Sequence, residues 1–245
     1  MTVVALIPAR MASSRFPGKP LALIHGRPMI EHVYRAVSQS PLLDATYVAT
    51  CDSEIATAVE AFGGNALLTG DHHERASDRC AEALEMLLGS GQQIDIVVMV
   101  QGDEPMTHPQ QIAEVLEPFT EPSVSVVNLF SSLSAVEAAS RNVVKVVIDQ
   151  RGDALYFSRL PIPGSMGASI SPTGKQLGLI AFRSSALQEF SALSATPYEI
   201  SESVDMLRFL EHGRKIRMRH TSHLTVAVDT PADLSAAEQL IPRMP

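Results

Sequence analysis

Short apolar runs of strand length alternate with stretches of helical spacing through the first half of the chain. Residues 3–8 are continuously apolar and read as a buried strand, which opens into the polar, turn-rich stretch Arg10-Met-Ala-Ser-Ser-Arg-Phe-Pro-Gly-Lys19. Over residues 28–38 the apolar positions Met29, Ile30, Val33, Ala36 and Val37 fall near helical spacing, with Pro28 suited to a first helical position. Residues 46–51 predict the next strand, 53–62 a short helix closed by Gly63-Gly64, and 65–68 a further strand. A helix over 77–88 and a strongly apolar strand over 94–100, broken only by Asp95, continue the alternation. Such strands, apolar on both faces and separated by helices, predict a parallel sheet covered by helices on both faces.

After a helix over residues 108–116 the pattern changes. Strand-like pieces at 124–130, 143–148, 155–157 and 177–182 flank a Pro/Gly/Ser-rich loop over 161–174. Helical segments around 185–190 and 201–211 precede strands near 216–219 and 225–228 and a final helix from Pro231. No repeat or linker divides the chain, so the expectation for residues 1–245 is one α/β domain: a mixed, mostly parallel sheet with a small inserted lobe.

Composition adds exclusions. Hydrophobic residues make up 45% of the 245, with 14 Gly and 16 Pro, which is globular rather than disordered or low-complexity. No apolar run approaches the roughly 20 residues of a membrane helix, and the start lacks signal-peptide features. With only Cys51 and Cys80, no disulfide framework is expected, and the reading is cytoplasmic. The net charge of −8 argues against nonspecific nucleic-acid binding. Against that acidity, Arg10, Arg15, Lys19 and Arg27 cluster in an opening stretch free of Asp and Glu, a local footprint for a small anion.

In open α/β sheets ligands bind at strand carboxyl ends, where strand order reverses. The Arg10–Lys19 loop follows such a strand. Its small and kinked residues, Ala12, Ser13, Ser14, Pro17 and Gly18, admit an anion to the backbone amides, while its cations neutralise charge. The same residues also read as a basic, solvated turn. Neither G-x-G-x-x-G nor G-x-x-x-x-G-K-[ST] is present, which disfavours dehydrogenase and P-loop classes. Asp103 lies just past the strand over 94–100, and Asp229 just past Val226-Ala-Val228. Two strand-end carboxylates beside a basic loop point to metal-assisted phosphoryl or nucleotidyl transfer. Taken alone, Asp229 also reads as the cap of the helix from Pro231. His72-His73 and His220-x-x-His223 lack a Cys cluster or an H-E-x-x-H motif and read as loop histidines, and the two cysteines read as packed thiols.

The combined motifs identify a family. Leu6-Ile-Pro-Ala-Arg10-Met-Ala-Ser-Ser-Arg15-Phe-Pro-Gly-Lys-Pro20-Leu, Gly26-Arg-Pro-Met-Ile30, Val100-Gln-Gly-Asp-Glu-Pro-Met106, Val144-Lys-Val-Val147, Ala154-Leu-Tyr-Phe-Ser-Arg159 and Val228-Asp-Thr-Pro231 resemble the 3-deoxy-manno-octulosonate (Kdo) cytidylyltransferases, in that family's order and over essentially the whole chain. The resemblance implies a Rossmann-like nucleotidyltransferase fold, a homodimer, and Mg²⁺-dependent joining of CTP to a 2-keto-3-deoxy sugar acid. The CMP-sugar would serve lipopolysaccharide or capsule biosynthesis. It further implies that Ala9, Arg10, Ser13, Lys19, Ser77, Arg79 and Gln101 hold the nucleotide and that Asp103 and Asp229 bind the metal. Lys19, Asp103 and Asp229 are the implied catalytic set. Arg15, Gln101, Arg159, Gln176, Phe182 and Asp205 are implied at the sugar end, with Arg159 gripping the carboxylate.

Departures from the family pattern fall in two places. Where the family carries Ser/Gly-Thr-Asp/Glu-Arg at the cytosine pocket, this chain has Arg75-Ala-Ser-Asp-Arg79. Its His-Leu-Gly-Ile-Tyr-Gly-Tyr-Arg becomes Gln176-Leu-Gly-Leu-Ile-Ala-Phe-Arg183, and its Leu-Glu-Gln-Leu-Arg becomes Val204-Asp-Met-Leu-Arg208. These changes bear on the acceptor, so an 8-amino Kdo or a nine-carbon sialic-acid-like acid stands as the alternative substrate. A non-catalytic nucleotide-binding paralog is the alternative from another class, and the retained Lys19, Asp103 and Asp229 speak against it.

Overall fold

A computed structural model describes residues 1–13, 15–164 and 173–242, so much of the loop expected over 161–174 lies outside the described residues. The chain groups into two compact units: Met1–Ala113 with Leu224–Pro245, and Glu114–His223. In the first, β1 (Val3–Ala9) leads through a loop and a 3-10 turn (Lys19–Leu21) into the hairpin β2 (Leu23–Ile24) and β3 (Arg27–Pro28). The hairpin was not expected from periodicity. Its turn is His25-Gly26, both with positive φ (50° and 82°), as a two-residue type I′ loop requires. Then come α1 (Met29–Ser38), β4 (Ala45–Thr50), α2 (Ser53–Ala61), β5 (Asn65–Leu68), α3 (Ala76–Gly89), β6 (Ile96–Val100) and α4 (Pro109–Leu116), close to the expected boundaries.

Strand order within this unit is β6-β1-β4-β5, all parallel. β1 pairs with β4 from Val4↔Ala45 to Ala9↔Thr50, and on its other edge with β6 from Val3↔Ile96 to Leu6↔Met99. Every residue of β1 and β6 is buried, which accounts for their uninterrupted apolar sequence. Building outward through β4 and β5 and then returning to the far side of β1 reverses the strand order between β1 and β6. That reversal is the switch point at which α/β sheets bind ligands.

The second unit holds β7 (Val126–Ser131), α5 (Ala135–Ala139), β8 (Lys145–Ile148), β9 (Ala154–Ser158), β10 (Thr173–Arg183), α6 (Ser184–Ala192), α7 (Pro197–Glu202), α8 (Met206–Glu211) and β11 (Arg217–His220). β11 runs parallel to β7, whereas β7 with β10, β10 with β8, and β8 with β9 are antiparallel, as the mixed sheet predicts. The single helix expected over 201–211 is two helices, because Ser203 adopts left-handed backbone (φ 51°) and ends α7. β7 and β10 lose register between Gln176 and Ile180. There the fully buried Asn128 donates its Nδ2 to the carbonyls of Leu129, Leu177 and Leu179 at 3.1, 2.9 and 3.1 Å, replacing the ladder bonds the bulge removes.

The chain then returns to the first unit. Residues 225–228 do not form the expected strand: Val228 N–H donates to the Asp103 carbonyl at 2.9 Å, outside any ladder. α9 (Pro231–Leu240) follows, and Val228, Ala237 and Ile241 pack with Ile24 and Met29 in a separate buried cluster under Phe16, Met106 and Leu234. No helix among the described residues is long and apolar enough to cross a membrane. Because Asn128 saturates carbonyls that water cannot reach, Asn128→Ala is expected to lower unfolding stability by about 1–3 kcal/mol, read by urea denaturation.

Candidate active site

The loop after β1 is folded back on itself. Gly18 takes left-handed backbone (φ 73°) and donates to the Met11 carbonyl at 2.9 Å, and the short 3-10 turn that follows, with Pro20 as its second residue, carries Lys19. Asp52, just past β4, accepts the Met11 N–H at 2.8 Å and ties the loop to the neighbouring strand end. At the end of β6 the backbone passes so close to β1 that a Cβ on Gly102 would lie 2.8 Å from the Pro8 carbonyl oxygen. Only glycine fits there, and it delivers Gln101 and Asp103 beside the loop.

Lys19 Nζ occupies the centre. It lies 2.5 Å from Asp103 Oδ2, 3.1 Å from the Val228 carbonyl and 3.3 Å from Asp229 Oδ1. Arg15 Nη2 is 2.8 Å from the same Asp229 oxygen. Of the two readings open for Asp229, the cap is excluded. Thr230 caps α9 through a reciprocal capping box with Asp233, which leaves the Asp229 carboxylate to the cations. Two carboxylates converging on one point are hard oxygen donors of the kind Mg²⁺ takes together with phosphate oxygens.

These side chains wall a cavity of about 320 Å³ that also takes in Ala9, Arg10, Ser13, Gln101 and Arg79. Arg79, on the first turn of α3, is 3% exposed. Its Nη1 donates to Thr69 Oγ1 at 2.5 Å and to the Gly70 carbonyl at 3.1 Å, while its Nη2 is buried with no partner. An unpaired buried guanidinium donor on a cavity wall is a demand for an acceptor from a ligand. Ser77 is fully buried within α3 and is not among the residues lining the cavity; Ala76 takes its place on the wall.

The residues expected at the sugar end, apart from Arg15 and Gln101, lie in the second unit. Arg159 is held rather than free: Nε donates to the Glu202 carbonyl at 2.7 Å, Nη2 to Ser203 at 3.1 Å, and Nη1 to Arg141 at 3.3 Å. Its own carbonyl accepts from the buried Lys145 ammonium at 2.7 Å, and burial and then the Arg159 charge hold that amine below its ordinary pKa. Gln176 Nε2 donates to Asn128 Oδ1 at 2.7 Å. Phe182 is fully buried against Phe190, Met206 is fully buried, and Asp205 is the residue just before α8. Two of the family departures therefore fall in the core.

Asp52, Thr69 and Gly102 were missed in the sequence. A signal existed for Asp52 alone, a strand-end aspartate like Asp103; Thr69 and Gly102 act through a partner that only the fold supplies.

Comparisons with known proteins identify the family. The model of a family described as Cytidylyltransferase matches residues 4–216. A 3-deoxy-manno-octulosonate cytidylyltransferase of Myxococcus xanthus is 45% identical over 97% of this chain and 96% of its own length. Its counterpart in Geobacter metallireducens is 40% identical over 99% of each. Among solved structures, a CMP:2-keto-3-deoxy-manno-octonic acid synthetase complexed with CTP superposes with a TM-score of 0.90 at 40% identity, covering 98% of both chains. With near-complete coverage at this identity, the chain belongs to the cytidylyltransferase family, among the Kdo cytidylyltransferases.

Proposed function

We propose that this chain transfers CMP from CTP to the anomeric hydroxyl of Kdo, giving CMP-Kdo and pyrophosphate for surface polysaccharide biosynthesis. The observation that carries the reading is the unpartnered Nη2 of buried Arg79, set in the same cavity as the Arg10, Arg15 and Lys19 cations. A pyrimidine carbonyl oxygen satisfies the first and a triphosphate the second. Arg10, Ser13 and the amides of the loop after β1 hold the phosphates, and Gln101 meets the nucleotide where it joins the sugar. Asp103 and Asp229 would hold Mg²⁺, which when bound supplies Lewis-acid polarisation of the phosphoryl oxygens.

The reaction is an in-line exchange at the α-phosphorus. The sugar hydroxyl oxygen gives up its proton to solvent and forms the new P–O bond, the bond from the α-phosphorus to the oxygen bridging the β-phosphate breaks, and pyrophosphate leaves with the negative charge. Lys19 and Arg10 lower the barrier by standing where that charge grows. Arg15 and Gln101, on the cavity of the first unit, meet the acceptor, and the family resemblance alone assigns Arg159, Gln176, Phe182 and Asp205 of the second unit to sugar binding. Kdo is favoured over another acid because two departures from the family pattern, Phe182 and Met206, are buried side chains rather than exposed polar contacts.

Both units act as one cytidylyltransferase domain, working in the cytoplasm as a homodimer. The edge strand β9, which pairs only with β8 among the named strands of the described residues, and the exposed apolar Leu155, Tyr198 and Ile200 support a second copy as partner. Leu155→Glu is expected to shift the sedimenting species from dimer to monomer.

Purified protein with Mg²⁺ and CTP is expected to release pyrophosphate with Kdo and not with sialic acid or without sugar. Release only with 8-amino Kdo or a nine-carbon acid would reassign the acceptor, and silence with every acid would leave a nucleotide-binding paralog. In the same assay Asp103→Asn is expected to cut kcat by roughly 100-fold or more with the fold intact. Arg79→Met should raise the KM for CTP by about 10- to 100-fold, the size of a lost charged hydrogen bond, and leave kcat at saturating CTP within a few-fold.

A further inference from the structure

Between β5 and α3 the chain carries a side-chain cluster that nucleotidyl transfer does not use. His72, His73 and Glu82 each offer one ligand atom, and the three atoms lie within 4.8 Å of one another. The plain account is a His73–Glu82 ion pair, since His73 Nε2 contacts Glu82 Oε2 directly. That account covers two residues of the three. His72 makes no hydrogen bond to any described residue. Its ring lies 4.1 Å from that of His73, tilted by 41°, and it presses on Gly70 so closely that a Cβ there would lie 2.5 Å from ring atoms Cε1 and Nδ1.

Glu82 is prepared as well. The Gly70 N–H donates to both carboxylate oxygens, at 3.1 and 2.9 Å. Two imidazoles and one pinned carboxylate form a nitrogen-rich set, with bonds of about 2.0–2.2 Å to zinc and a fourth position left open. Mg²⁺ prefers oxygen, so the set differs in kind from the Asp103–Asp229 pair.

We propose that His72, His73 and Glu82 form a binding site for one zinc-class divalent ion. The ion would join the loop over residues 69–75 to the second turn of α3. Because His73 also stands on the wall of the nucleotide cavity, the ion would fix the side of that cavity that carries Arg79.

The test is a titration of untagged, metal-free full-length protein with Co(II), followed by visible d–d absorption. One saturable equivalent, displaced by Zn(II), is expected. His72→Ala and Glu82→Gln should each weaken it at least about tenfold, while Asp103→Asn leaves it unchanged and circular dichroism verifies that each variant is folded. Should a variant misfold, broadening of the His72 and His73 imidazole proton signals by substoichiometric Co(II) in the wild-type chain provides the same reading. Absence of a band, a band equally strong in both variants, or broadening of other histidines alone would each overturn the site.

Discussion

The Lys19 ammonium is the constraint on which the site depends. Two carboxylates drawn from remote parts of the chain would repel one another at this distance from solvent. A single cation between them, 14% exposed, makes their convergence favourable and fixes the point to which both are aimed. Its third contact, to the Val228 carbonyl, ties the backbone that carries Asp229 to the same charge. The surrounding architecture serves to bring this one nitrogen and its partners together: the reversal of strand order beside β1, the glycine that lets β6 end against Pro8, and the capping box that turns Asp229 away from α9.

A division of labour follows from where each group is anchored. The loop after β1 is set by backbone bonds to its own turn and to Asp52, so its geometry precedes any ligand. Arg79 comes from the start of a long helix and is held through Nη1 by Thr69 and Gly70, while its Nη2 is left buried without a partner. Pre-fixed donors of this kind need no reorganisation when charge develops, which is the physical basis of their effect on a barrier. In the second unit the Arg159 guanidinium is restrained by carbonyl oxygens, and among the described residues no ion pair neutralises its charge.

Elements that hide both faces were legible before any coordinates. β1 and β6 declared themselves by uninterrupted apolar residues, and the helices by spacing and by their stops at glycine. Residues 225–228 misled for a physical reason: an apolar run has the period of a strand, but its polar backbone was spent on Lys19 and Asp103 rather than on a ladder. The break at Ser203 was likewise invisible, because a serine in left-handed backbone has no compositional mark. Within the site, Arg10, Arg15, Lys19, Asp103 and Asp229 could be named from their type and strand-end position, whereas Arg79, on a helix, could be named only through the family resemblance. Thr69, Gly102 and the His72–His73–Glu82 grouping could not, since each matters only through what another strand or loop brings beside it.

Asp229 lies 210 residues beyond Lys19, and it arrives on the segment that leads into α9. The order of synthesis therefore differs from the order of assembly. A nascent chain can complete the four parallel strands, the loop and Asp103 while the second carboxylate is still to be translated, and Lys19 then has only half of its acidic partners. Docking of α9 onto Ile24 and Met29 is what seats the late segment. Competence for chemistry is thus acquired in the closing moments of biosynthesis, and partly made chains are poor catalysts by construction.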